Sequence, residues 1–311
     1  MGAPQLLRGF GVRKSGCTVT ITAVNPAIRL LAIDIDGTLL DSQFRISSAN
    51  LTALRRAREA GTEIVLVTGR RHQFALPIAQ SLGFDLWLIS SNGAVTRSLG
   101  GEPFHCDLLP VATARELIAH MEPFRGNLVL TFDREGKGAL VLERTDDLTL
   151  HIQRWIENNL QYIDFVVPIE QALLTDPVQA MFCGSIARMQ VAEKRLRAAD
   201  LAERITVLKT RYDARDLVII DVLNHGCSKG HALERWARHR GLEREQVMAI
   251  GDNYNDIEML EFAGVPVIMG NAREDLKQNG WRVTLSNEEN GVAAAVEEVL
   301  FGKVFVAGHA F

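Results

Sequence analysis

From Arg29 onward, apolar runs of strand length alternate with stretches of helical period. This alternation constrains the chain more than any single residue, because it is the pattern of βαβ units and hence of a parallel sheet flanked by helices. Leu30-Leu31-Ala32-Ile33 opens the series. A helix is predicted next, started by Ser47 or Ser48, with Leu51, Leu54 and Ala57 on its apolar face and a stop near Gly61. The strand Ile64-Val65-Leu66-Val67, a helix over 72–82, the strand Leu86-Trp87-Leu88-Ile89 and a turn at Ser91-Asn92-Gly93 follow.

Over 94–224 the regularity gives way to short strands, at Leu128–Thr131 and 139–142, mixed with helices near 147–159 and 186–201. It returns after Ser228 with a helix to Arg240, the strand Val247-Met248-Ala249-Ile250, a helix over 256–263, a strand over 265–269 and a final strand-helix pair ending near Leu300. The expected architecture is a doubly wound, Rossmann-like α/β core, 28–93 and 225–311, split by an inserted α+β domain, 94–224. The leading segment 1–27 carries Arg8, Arg13 and Lys14 but no acidic residue, as organellar transit peptides do. A plain N-terminal extension is the preferred alternative.

Composition narrows the class. With 47% hydrophobic and 23% charged residues the chain suits a soluble globular protein with two cores. The net charge of -4, with no long basic run, argues against a nucleic-acid partner. No apolar run approaches the ~20 residues of a membrane span. Cys17, Cys106, Cys183 and Cys227 lie far apart without a CxxC pair, so neither a disulfide framework nor a cysteine zinc site is expected, and a cytoplasmic setting fits. Oligomeric state is not legible.

Four short motifs fall at strand ends or helix starts. Asp34-Ile35-Asp36-Gly37-Thr38 follows the first strand, and strand alternation sends both carboxylates to one side, where they need a cation or a shared proton. A solvated acidic loop would read the same. At Thr68-Gly69-Arg70 a hydroxyl and backbone N–H could hold phosphate oxygens, or Thr68 could cap a helix with Arg70 solvated. Ser228 is a natural N-cap, and Lys229 in the first turn, against the helix dipole, hints at an anionic partner, although surface lysines are common. Gly251-Asp252-Asn253-Tyr254-Asn255-Asp256 offers the hard oxygen ligands Mg²⁺ prefers, while Asp256 and Glu258 also suit a first helical turn. His72 with Arg70 and Arg71 reads as a solvated helix start, His225 and Cys227 as bystanders, and Trp155 and Trp236 as core.

The conjunction of the four motifs in one split α/β domain resembles the haloacid dehalogenase superfamily, specifically its Cof-like phosphatases with a large inserted cap. The resemblance covers about Ile28 to Leu300. It implies a phosphoric monoester hydrolase acting on small phosphorylated metabolites, sugar phosphates or similar, through an aspartyl-phosphate. Asp34 would be the nucleophile and Asp36 the general acid/base. Ile35 through its backbone, Thr68, Gly69, Lys229 and Asn255 would bind the phosphoryl group. Mg²⁺ would be held by Asp34, the main-chain carbonyl of Asp36 and Asp252, with Asp256 orienting its neighbours. Asn92-Gly93-Ala94 would be the hinge into the cap. A phosphosugar mutase or phosphotransferase on the same core, or a catalytically idle binding or regulatory protein, are the alternatives.

Overall fold

The computed structural model describes residues 28–303 apart from Ala199; the extension expected at 1–27 lies outside the described residues. The first half of the core runs β1 (Leu30–Ile33), α1 (Ser48–Glu59), β2 (Glu63–Val67), α2 (His72–Ser81), β3 (Trp87–Ser90), β4 (Val95–Ser98) and β5 (Pro103–Cys106). The cap follows with α3 (Val111–His120), β6 (Leu128–Thr131), β7 (Leu140–Leu142), α4 (Leu150–Glu157), β8 (Ile163–Phe165), β9 (Gln179–Gly184), α5 (Ile186–Arg197), β10 (Ile205–Tyr212) and β11 (Leu217–Asn224). The core then resumes with α6 (Lys229–His239), β12 (Val247–Gly251), α7 (Ile257–Phe262), β13 (Val265–Ile268), α8 (Glu274–Lys277), β14 (Arg282–Val283) and α9 (Gly291–Phe301).

Core and cap each own a sheet. The core sheet has the order β14-β13-β12-β1-β2-β3-β4-β5, parallel from β14 to β3. β1 is buried at every position because the sheet is covered on both faces: Leu31 and Ile33 pack toward α1 and α9, Leu30 and Ala32 toward α6 and α7. Ser47, not Ser48, caps α1, accepting a hydrogen bond from the Asn50 N–H at 3.1 Å. β12 pairs directly with β1, so the motifs ending both strands emerge side by side, although more than two hundred residues separate them.

The expected cap boundary at Ala94 is displaced. Ser91 and Asn92 at φ 49° and 53°, followed by Gly93 at φ 104°, turn the chain back, and β4 and β5 extend the core sheet as an antiparallel hairpin. Only after Cys106 does the chain leave this sheet, and the outgoing and returning segments are tied where the Asn224 amide donates to Asp107 at 2.7 Å. Asn92-Gly93 is thus a turn of the core; a Cβ on Gly93 would stand 2.2 Å from the Ser228 carbonyl oxygen, so the turn packs against the start of α6 too closely for any side chain.

The cap sheet has the order β10-β11-β9-β6-β7-β8. Strand period assigns its faces. Ala180 and Phe182 of β9 and Val218, Ile220 and Val222 of β11 pack with α3 and α5. The residues between them, Gln179 and Met181 of β9 and Ile219 and Asp221 of β11, face the core and line a cavity there. Trp236 is core, as expected, whereas Trp155 keeps 39% exposure and stacks edge-on against Phe74 of α2, their centroids 5.7 Å apart. Among the described residues no helix is long and apolar enough to cross a membrane.

Candidate active site

A cavity of about 180 Å³ lies between the carboxyl ends of the core strands and the inner face of the cap sheet. Crevices at these strand ends are where open α/β sheets bind ligands. Its floor carries Asp34, Asp36, Thr68, Gly69, Asp252 and Asn255, which brings together residues from three of the four motifs. The fourth motif enters from beneath. The Lys229 ammonium, 1% exposed, donates to Asp34 Oδ1 and to Asp256 Oδ1, both at 2.6 Å. It is a buried cation bridging two buried carboxylates, not a surface lysine. Burial works against its charge, but Asp256 and Asp34 outweigh this and push its pKa above the usual lysine range.

The backbone makes the convergence possible. Gly37 turns at φ 82°, and a Cβ there would meet Asp252 Oδ2 at 2.4 Å, so β1's loop closes against β12's loop only with glycine. Thr38 donates to Asp252 Oδ1 at 3.2 Å. Asp256, fully buried, accepts from the N–H groups of Asp252 and Asn253 at 2.9 and 3.0 Å and so fixes the loop. Ile35 buries its side chain completely in the core, leaving only its backbone near the site.

Asp34, Asp252 and Asp256 can bring one carboxylate oxygen each within 4.8 Å of one another. Burial first, then Asp256 and Asp36, raise the Asp34 pKa to about 7 against the opposing pull of Lys229. Asp252, which keeps partial exposure toward the cavity, is raised by the same burial and by Asp34 and Asp256. Crowded carboxylates with one ammonium among them are short of positive charge, and an all-oxygen donor set suits a hard divalent cation. Because both Asp256 oxygens are already engaged, Asp34 and Asp252 are the carboxylates best placed to hold one.

Three readings at α2 are corrected. Arg70 is not solvated: its Nε and Nη2 donate to the two Asp36 oxygens at 2.7 and 2.6 Å, a bidentate pair reaching back to the first motif. Arg71 and His72 are buried rather than exposed, Arg71 donating to the Arg134 carbonyl of the cap at 2.9 Å and lying over the Phe74 ring. Burial, and then Arg97, lower the His72 pKa. Thr68 caps no helix in the usual way, since its hydroxyl accepts from the Arg70 N–H at 3.1 Å and α2 begins beyond it.

A chain of amides that the motif reading missed joins floor to roof. Asn255 donates to Asn92 Oδ1 at 2.9 Å, Asn92 donates to Asp221 Oδ2 at 2.8 Å, and Gln179 donates to Asp221 Oδ1 at 3.0 Å. Burial pushes the Asp221 carboxyl up to about 7, with the Asn92 hydrogen bond and Lys229 pulling the other way. Asp221 had one signal in the sequence, a single acid inside the apolar run Leu217–Asn224; Gln179 had none. On either side the cap is fastened to the core: Asp213 pairs with Arg273, the Arg211 N–H donates to Asn253 Oδ1 at 3.3 Å, and Arg97 pairs bidentately with Asp133.

This is the arrangement of one family of hydrolases. The sequence pattern of the haloacid dehalogenase-like hydrolases matches residues 31–296, and the chain belongs to that family. Within it the chain is a Cof-like enzyme of the phosphatase kind, a phosphoric monoester hydrolase. Phosphatase YwpJ of Bacillus subtilis is 32% identical over 296 residues, covering 88% of this chain and 100% of that protein. The pyridoxal phosphate phosphatase YbhA of Escherichia coli is 29% identical over 268 residues, covering 85% and 96%. Among solved structures, a haloacid dehalogenase-like hydrolase from B. subtilis aligns with a TM-score of 0.73 at 28% identity, over 88% of this chain and 100% of that one.

Proposed function

We propose that this chain is a Mg²⁺-dependent phosphatase of small phosphorylated metabolites that works through an aspartyl-phosphate on Asp34. The observation that carries the reading is the buried Asp34 carboxylate, 4% exposed, at the end of β1, with Lys229 at 2.6 Å on one oxygen and no hydrogen-bond donor on the other among the described residues. Asp34 lines the cavity together with Asp36, Thr68 and Asp252.

In the first step the free Asp34 oxygen bonds to phosphorus, the bond from phosphorus to the leaving oxygen breaks, and Asp36 delivers its proton to that oxygen. In the second, water attacks phosphorus, Asp36 takes the water's proton, and the Asp34–phosphorus bond breaks to release inorganic phosphate and restore the carboxylate. Asp36 is bound through both oxygens to Arg70, so one of those bonds opens before it carries a proton. Lys229 stays protonated throughout and holds Asp34 still. Thr68, Gly69, Asn255 and the Ile35 backbone hold the phosphoryl oxygens. A divalent cation held by Asp34, Asp252 and the Asp36 main-chain carbonyl would neutralise charge on the phosphoryl oxygens, the main demand of phosphoryl transfer. The cap roofs the site, and the cavity of about 180 Å³ favours a compact leaving group.

Hydrolysis of p-nitrophenyl phosphate tests the reading. Turnover is expected with Mg²⁺, to be abolished by excess chelator and restored by added Mg²⁺. Undiminished activity in chelator would contradict it.

A further inference from the structure

The roof of the cavity carries information about the leaving group that the floor does not. Asp221 and Gln179 sit on neighbouring antiparallel strands of the cap, both 4% exposed, and both line the cavity. Gln179 spends its amide N–H on Asp221 at 3.0 Å, and with the nitrogen so used the side-chain oxygen, Oε1, is buried with no hydrogen-bond partner among the described residues. Asp221 accepts from Asn92 and Gln179, and each of its oxygens retains a lone pair beyond those bonds. A buried acceptor without a donor costs about as much as a lost hydrogen bond, and such atoms in folded proteins find a partner.

The charge balance points the same way. The side chains lining the cavity include four carboxylates, Asp34, Asp36, Asp221 and Asp252, and one cation, Arg70, which Asp36 already neutralises. The phosphoryl group has the floor to meet it. Beyond it, the roof presents the Gln179 and Asp221 acceptors, the Thr210 and Tyr212 hydroxyls and, among the described residues, no free cation, with Met181 and Ile219 as apolar neighbours.

We propose that Gln179 Oε1 and Asp221 form an acceptor pair that selects phosphomonoesters whose leaving group carries hydroxyl or amine donors close to the ester and no second anionic group. The assignment rests on the phosphatase reading and adds to it the class of leaving group. The pair's place is set by the amide chain: Asn255, a phosphoryl-binding candidate, contacts Asn92, and Asn92 contacts Asp221, so the acceptors stand a single asparagine away from the phosphoryl site. A neutral polyol or an aminoalkyl group satisfies the orphaned oxygen. A carboxylate or second phosphate there faces Asp221 unpaired.

The test compares kcat/KM for glycerol phosphate, aminoethyl phosphate, phosphoglycerate and p-nitrophenyl phosphate in the wild-type enzyme and in Gln179→Leu and Asp221→Asn. In the wild type the two donor-bearing esters are expected to exceed phosphoglycerate. In Gln179→Leu the ratio of glycerol phosphate to p-nitrophenyl phosphate should fall by roughly tenfold to a hundredfold, the usual consequence of removing one hydrogen-bond partner in a buried site. A wild-type preference for phosphoglycerate overturns the proposal without reference to any variant. So does an unchanged ratio in a Gln179→Leu enzyme that still turns over p-nitrophenyl phosphate. Failure of the wild type to hydrolyse every ester with Mg²⁺ present is a different result, and strikes the phosphatase reading itself.

Discussion

At and just beneath the floor of the cavity, Asp34, Asp252 and Asp256 crowd together with one buried ammonium, which leaves them short of positive charge. At the roof, Asp221 is as deeply buried but is met by two neutral amides, Asn92 and Gln179, and by no ion pair among the described residues. The two solutions to burying a carboxylate suit different work. An ammonium bridge and a cation-hungry cluster keep the floor charged, which a nucleophile and a phosphoryl group require. At the roof, amide donors hold Asp221 without a cation, while Gln179 Oε1 keeps no partner among the described residues, which is the basis of the proposed leaving-group preference. Substitution on each side measures the difference.

The largest effect is expected at the floor. Lys229→Ala removes the one cation between Asp34 and Asp256 and leaves two buried carboxylates unpaired, a change that costs about 3–5 kcal/mol in buried pairs. Chemical denaturation of the metal-free protein should show a loss of that size, together with loss of turnover. A midpoint like the wild type's would mean the pair is not the structural bridge it looks.

At the roof the effect is smaller and depends on pH. The Asp221 carboxyl has an ordinary value of 3.8 and is pushed by burial to about 7 in the folded chain. Between those values the folded state holds a proton that the unfolded state has lost, so the contribution of Asp221 to stability is greatest below about pH 4, falls as pH rises through the window and is level above it. Asp221→Asn removes this slope. Unfolding free energies at pH 5 and pH 8 should therefore differ more in the wild type than in the variant, by on the order of a few kcal/mol. Equal differences would place Asp221 in a wetter setting than its burial indicates.

The smallest effect belongs to the rim, where Asp213 and Arg273 fasten the cap edge to the core while both remain substantially exposed. Exposed pairs contribute ~0–1 kcal/mol, so Arg273→Ala should leave the melting temperature almost unchanged. A large loss would show that cap closure is held mainly at this point.

The contrast between floor and roof also marks what could be read from the residues in order. Each floor motif ends an apolar run or opens a helix, so period and capping alone place Asp34, Thr68, Lys229 and Asp252 at the same edge of a parallel sheet. The bidentate partner of Asp36 was within the second motif, yet nothing local distinguishes an Arg70 that solvates from one that reaches back 34 residues. The roof was harder. Gln179 and Asp221 are isolated polar residues in largely apolar strands and Thr210 sits in a mixed one, and only knowing that the inner cap face closes on the core makes them the lining of a site. The hairpin β4–β5 was missed because Val95–Ser98 and Pro103–Cys106 carry little apolar period, β5 being the edge strand of the sheet and both strands keeping partly exposed side chains.

The central claim is that Asp34 is covalently phosphorylated during turnover. Asp36→Asn should slow the hydrolysis of that intermediate, since loss of a general acid/base typically costs ~10²–10⁴-fold, while an activated aryl ester needs little help in leaving. Acid-quenched Asp36→Asn enzyme, mixed with p-nitrophenyl phosphate and Mg²⁺ and mapped by mass spectrometry, is predicted to carry one phosphoryl group on the peptide containing Asp34, and Asp34→Asn enzyme none. A phosphoryl group on Ser228 or His225, or near-normal turnover by Asp34→Asn, would contradict the account.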